Sequence, residues 1–265
     1  MTFTGGADLL AVWEWGLSQP EQGRALALHS AARPDADVQE LLATPIGARE
    51  ADLYALRRAL FGERMQVVTE CAACDEVVEF DLDATALGTP PATALGFTPE
   101  SNSHPTEDTD SVASRGGALR VVEDGWVVEF RPPAVADLAA AAGGGDPSEA
   151  RRSLVTRCTL SATQDGRPVD PDELPDHVRR RLAEAAERAD PAAETTLRIT
   201  CPECGESTLA ELDIAAHLWA ELDTWARDLL LDVHLLATAY GWTEPEILAL
   251  SPLRRRYYLE LCADA

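Results

Sequence analysis

Leu9, Val12, Trp13 and Leu17, then Ala25 and Leu28, recur at three- and four-residue intervals on either side of Pro20. That period predicts two short amphipathic helices. Leu53, Leu56, Leu60 and Phe61 predict a third, and Gly62 is placed to end it. The period then changes. Val67 and Val68 precede Cys71, while Val77, Val78, Phe80 and Leu82 follow Cys74, as expected of two strands joined at a cysteine turn. The last third carries the strongest pattern: Ile214, Leu218, Leu222, Trp225, Leu229, Val233, Leu236 and Tyr240 form one apolar stripe of a long helix. Asp213 can cap its start and Gly241 fits just past its end. Thr243 and Glu246 have capping-box spacing for a short helix, and Ser251-Pro252 opens a final one.

Between these regions the pattern is weaker. Residues 88–117 turn to Pro, Thr, Ser, Gly and acid, which predicts a disordered surface loop. Leu119 to Phe130 reads as a β-hairpin about Asp124-Gly125. Pro132 and Pro133 stop it. An alanine-rich helix follows, broken at Gly143, Gly144 and Gly145 and resuming near Pro147 as far as Arg157. A further helix over 175–189 carries Val178, Leu182 and Ala185 on one side.

Leu197 and Ile199 lead into Cys201-Pro202-Glu203-Cys204-Gly205, and Leu209 and Leu212 lead out. Aligned on its cysteines, this segment repeats the first: Phe80-Asp81-Leu82-Asp83 falls on Ala210-Glu211-Leu212-Asp213. Both copies read strand, Cys-x-x-Cys, strand, Leu-Asp, helix start, as a weak internal duplication would. Two such turns supply the four thiolates of a tetrahedral zinc site, so Cys71, Cys74, Cys201 and Cys204 are the expected ligands of one structural Zn2+. The gap between the pairs is far longer than in a simple zinc ribbon, whereas the matched flanks favour a shared site. Four thiolates leave no open coordination position, so such a zinc would not be catalytic. A redox Cys-x-x-Cys belongs at a helix N-terminus, and both pairs here lie between strand-like runs. Cys158 and Cys262 stand alone, as small buried hydrophobes do.

The expected fold class is α+β. It is mostly helical, with two β-knuckles forming a zinc-ribbon-like site, a central β-hairpin, and a long C-terminal helix followed by two short ones. The expected organisation is a single zinc-clasped domain over 1–265: N-terminal helices over 1–64, knuckles over 65–83 and 196–213, the loop over 88–117, hairpin and helices over 118–195, and C-terminal helices over 214–265.

Composition narrows the function. The 265 residues are 46% hydrophobic and 26% charged, an ordinary globular balance. The formal charge is −24 and all 22 basic residues are arginine, so a phosphate backbone would be repelled unless a local patch overrode the field. No apolar run is long enough for a bilayer, and the first residues lack the features of a secretory signal, which points to the cytoplasm. In that reducing setting six cysteines argue against disulfides. His217 and His234 lie beside the stripe of the long helix, where core contact or solvent is the expected role. Neither a nucleophile elbow nor a phosphate loop occurs, so the chain reads as a non-enzyme without a small-molecule substrate.

Trp219, Leu230 and Leu235 lie off the main stripe and give the long helix a second apolar face, either core or partner surface. Trp242, Arg254, Arg255 and Tyr258 follow near its end. The run HLWAELDTWARDLLLDVHLLATAYGWTEPEILALSPLRRRYYLEL, from His217 to Leu261, resembles the T4-like phage baseplate protein family. Its members are baseplate hub assembly chaperone-like proteins of contractile phage tails and phage-tail-like contractile injection systems. Tyr240-Gly241-Trp242, Glu246 to Leu250 and Arg254 to Tyr258 carry the likeness. The two knuckles, Leu212-Asp213-Ile214 and Leu-Phe-Gly-Glu-Arg-Met over 60–65 add to it. The resemblance covers most of the chain apart from 88–117. It implies a baseplate assembly chaperone or a resident baseplate component, in the cytoplasm or within a virion or injection particle, binding baseplate or hub proteins and catalysing nothing. On this reading the partner-binding residues are Trp219, Leu230, Leu235, Trp242, Arg254, Arg255 and Tyr258. The alternatives are a zinc-ribbon nucleic-acid binder using Arg254 to Arg256, and a thiol oxidoreductase.

Overall fold

The computed structural model describes residues 5–85, 87, 118–141 and 146–263. The loop expected over 88–117 and the break expected at Gly143 to Gly145 lie outside them. The fold is α+β, with small antiparallel sheets set among helices. The chain divides into two compact units: residues 1–34 with 213–265, and residues 35–212. Neither boundary carries a linker-like composition, so nothing in the sequence announces it.

The first unit is helical. Helix α1 (Gly6–Leu17) buries Leu9, Leu10, Trp13 and Gly16, and α2 (Glu21–Ala32) buries Ala25, Leu28 and Ala32. A 27-residue helix, which becomes α8 in chain order (Ile214–Tyr240), packs against both. Its start is capped by the Asp213 carboxylate, which accepts from the Ala216 N–H at 3.0 Å. It ends at Gly241, whose φ of 69° is left-handed. The buried row is Ile214, Leu218, Leu222, Ala226, Leu229, Val233 and Leu236. Ala226 thus takes the core position expected for Trp225, which is half-buried; an indole is too large to be covered wholly at a helix crossing. Tyr240, also expected on the stripe, is 39% exposed. Trp13 donates its indole N–H to Asp223 at 2.8 Å. Helices α9 (Glu244–Leu248) and α10 (Pro252–Ala263) close on the end of α8, where Val233, Leu236 and Ile247 form a small core.

The second unit begins with α3 (Val38–Ala43), opened by an Asp37/Glu40 capping box, and α4 (Ile46–Phe61). The first cysteine hairpin is β1 (Arg64–Glu70) with β2 (Val77–Asp83). The expected central hairpin, β3 (Leu119–Glu123) and β4 (Trp126–Phe130), turns at Asp124-Gly125 as predicted. Helices α5 (Val135–Ala141) and α6 (Pro147–Cys158) lead into two strands with no sequence forecast, β5 (Thr159–Gln164) and β6 (Arg167–Pro168). The result is a four-stranded antiparallel sheet in chain order. Helix α7 (Asp176–Ala189) lays Val178, Leu182 and Ala185 on Leu119, Val121, Trp126, Val128 and Phe130. The second cysteine hairpin, β7 (Thr196–Thr200) with β8 (Ser207–Glu211), completes the unit.

Candidate metal centre

Each cysteine hairpin ends in the same turn. In the first, the Cys71 N–H donates to the Glu76 carbonyl at 2.8 Å and the Asp75 N–H to the Cys71 carbonyl at 2.9 Å. In the second, the Cys201 N–H donates to the Glu206 carbonyl and the Gly205 N–H to the Cys201 carbonyl, both at 2.9 Å. The residue after the second cysteine is left-handed in both copies, with φ of 58° at Asp75 and 75° at Gly205. The turn demands that conformation, which explains the glycine. Two hairpins 130 residues apart in register therefore build one knuckle twice.

The inner faces of the hairpins share a small apolar core of Cys71, Val78, Ile199 and Cys201, with Phe80, Leu197 and Ala210 packed on it. That core brings the knuckles tip to tip. Cys71 Sγ lies 3.7 Å from Cys204 Sγ, and Cys74 Sγ lies 3.7 Å from Cys201 Sγ. All four sulfurs are within 4.8 Å of one another. These distances exclude a disulfide, which needs about 2.05 Å, and all four cysteines are free. A tetrahedron with metal–sulfur bonds of about 2.3 Å requires sulfurs about 3.8 Å apart. The site has that spacing across both knuckles, so the four cysteines form a group that could hold a metal ion.

The electrostatics agree with a cation-binding group. N–H donors of Ala73 and Cys74 lower the Cys71 thiol to about 7. Cys74 receives an N–H from Glu76, but Cys204, desolvation, Cys71 and Cys201 together push it up to about 12. Four thiols this close cannot all ionise unless positive charge lies between them. Cys71 and Cys201 are buried, while Cys74 and Cys204 are exposed. The lone Cys158 is buried and its thiol is raised to about 11, first by burial and then by Asp137.

The residues expected at a partner surface divide. Trp219 is half-buried under Arg24, 5.1 Å from its ring, and abuts Gly16. Trp242 stacks on Tyr240 at 4.7 Å and meets Tyr258 edge-on at 4.9 Å. Arg255 pairs with Asp232 at 3.1 Å and Arg256 with Glu260 at 3.0 Å. Leu230, Leu235 and Arg254 are exposed. Three exposed residues outside the expected partner-binding set, Leu253, Tyr257 and Leu261, line one side of α10 at four-residue spacing, a repeat legible in the chain itself. His217 faces Glu221 at 3.5 Å, one turn along the helix, and His234 is exposed. Among the described residues no helix is long and apolar enough to cross a membrane.

Comparison with protein-family models, curated proteins and solved structures finds no match to this chain.

Proposed function

We propose that Cys71, Cys74, Cys201 and Cys204 hold one structural Zn2+, and that the chain works by binding other proteins, as an assembly factor or resident component of a contractile-tail baseplate. The observation that carries the metal reading is the 3.7 Å sulfur spacing across two knuckles distant in sequence. Four thiolates on a borderline-soft d10 ion favour zinc and saturate it, so the ion would fix the two hairpins and take no part in a reaction. Elemental analysis is the test: one zinc per chain, lost in Cys201→Ser. A metal-free protein that reduces disulfides sinks the reading in favour of an oxidoreductase.

The baseplate role rests on the resemblance of the run from His217 to Leu261, and the exposed row of Leu253, Tyr257 and Leu261 supports protein binding. Co-purification with the baseplate and hub proteins of a contractile tail checks it; binding to none of them removes it. A nucleic-acid role finds less support, because two of the three arginines at 254–256 are engaged by carboxylates on a chain of charge −24.

A further inference from the structure

Away from the cysteines, a second cluster joins the end of β4, the start of α5 and the end of α6. Asp137 is 1% exposed. Its Oδ2 accepts from the Ala134 N–H at 2.9 Å and from Arg131 Nη1 at 2.5 Å. Its Oδ1 accepts from Arg131 Nη2 and Arg157 Nε, each at 3.1 Å. One carboxylate therefore faces two guanidinium ions, leaving a surplus positive charge in a chain of net −24. Arg131 spends its remaining contacts on the carbonyls of Pro132 and Arg157, at 3.2 and 3.4 Å. Arg157 differs. Apart from its Nε it makes no side-chain hydrogen bond among the described residues, and its side chain is 43% exposed.

Both arginines stand in the wall of a cavity of about 600 Å³, within the range of about 300–1,000 Å³ common for small-ligand sites. Gln39 adds one amide, and Leu42, Pro45 and Leu160 give the rest an apolar character. Leu160 is 57% exposed on β5 and belongs to none of the core clusters described above. Tying the β4–α5 corner to α6 accounts for Arg131 in full. It accounts for neither the two open Nη groups of Arg157 nor Leu160.

We propose that this cavity binds a carboxylate carried on an apolar group, with the carboxylate on the Arg157 guanidinium fork and the apolar part against Leu160 and Leu42. A single surplus charge and one free fork match a monoanion. A dianionic phosphate would bring a second charge that nothing in the cavity balances. Asp137 acts as a positioning residue: by holding Nε it turns the Nη pair outward. Two sources share this chemistry, the C-terminus of a partner polypeptide ending in an apolar residue and a free aliphatic acid. The inference depends on neither the metal nor the baseplate reading.

Calorimetric titration of the full chain at low salt tests it with four probes: hexanoate, the peptide acetyl-Gly-Gly-Leu-Leu with a free terminal carboxylate, the same peptide amidated, and inorganic phosphate. At least one carboxylate is expected to bind saturably with a Kd below about 1 mM, and the amide at least about tenfold more weakly. The peptide acid alone assigns a chain end; hexanoate alone assigns a free acid; both support the shared chemistry. Arg157→Gln and Leu160→Ser should each weaken binding about tenfold, while Arg227→Gln, on an exposed arginine of the other unit, leaves it unchanged. Leu160 is exposed, so Leu160→Ser keeps the test alive should Arg157→Gln fail to fold. No saturable carboxylate binding, equal affinity for acid and amide, tighter binding of phosphate, or full affinity in Leu160→Ser overturns the proposal.

Discussion

At the scale of single residues, Asp75 and Gly205 occupy the same place in the two knuckles, yet only one of them is glycine. Asp tolerates the left-handed region better than most residues but gains nothing from it here beyond the turn. Asp75→Gly is therefore expected to be neutral to stabilising, by up to about 1 kcal/mol, and Gly205→Asp to cost a similar amount. Urea unfolding of both variants measures the pair, and a large loss in Asp75→Gly would show that the carboxylate does more than fill a turn.

Asp137 makes the opposite kind of contribution. Burial pushes its carboxyl up, but Arg131, the Ala134 N–H and Arg157 together outweigh that and hold it below the ordinary carboxylate range. A depressed folded-state value contributes stability above the unfolded value near 4 and loses it as pH falls through the folded one. The expected acid limb thus begins below about pH 4. Asp137→Asn should cost about 3 kcal/mol at neutral pH, because two guanidinium ions lose their shared partner, and should flatten that limb. Denaturation midpoints followed against pH check both statements.

At the scale of elements, α8 shows what a chain of one-dimensional letters can and cannot convey. Its caps, length and buried row are local consequences of spacing, so Asp213, Gly241 and six of the eight stripe residues read correctly. The partners of Trp219 were not legible, since they come from α1 and α2. A Cβ at Gly16 would fall 2.4 Å from two atoms of the Trp219 ring, too close for van der Waals contact. Gly16→Ala should therefore displace the indole and cost about 1–3 kcal/mol, read as a fall in Tm with a changed tryptophan emission. Strand β5 was hidden for a different reason. Only Ala162 of its six residues is buried, so no alternation marks it, and α6 runs into it without a turn. The Arg131–Asp137–Arg157 cluster drew no notice because it joins three elements by polar contacts that no periodicity records. The four-cysteine cluster was legible because the same knuckle pattern stands twice in the chain.

For the molecule as a whole, a metal at the knuckles would bind unit 35–212 near both ends of its own sequence. Metal affinity in such a site is also folding free energy. Cys71→Ser, or prolonged chelation of the native chain, is expected to lower Tm by at least about 10 °C, since each kcal/mol moves the midpoint by about 2–4 °C at this size. Unchanged stability after complete metal removal would show the four sulfurs to be a packing feature. The first unit has a separate difficulty. The chain leaves it after residue 34 and returns at 213, so its two parts must find each other across an inserted unit.

That order has a consequence during synthesis. Cys74 is made 127 positions before Cys201. At about 5–20 residues per second, the first knuckle leaves the ribosome roughly 6–25 s ahead of its partner. For that interval it would be half of the proposed chelate, with two thiols open to oxidants, to stray metal and to the matching half-site of another nascent chain on the same message. Yield in a cell should then depend on the speed of translation between the knuckles as well as on the stability of the finished protein.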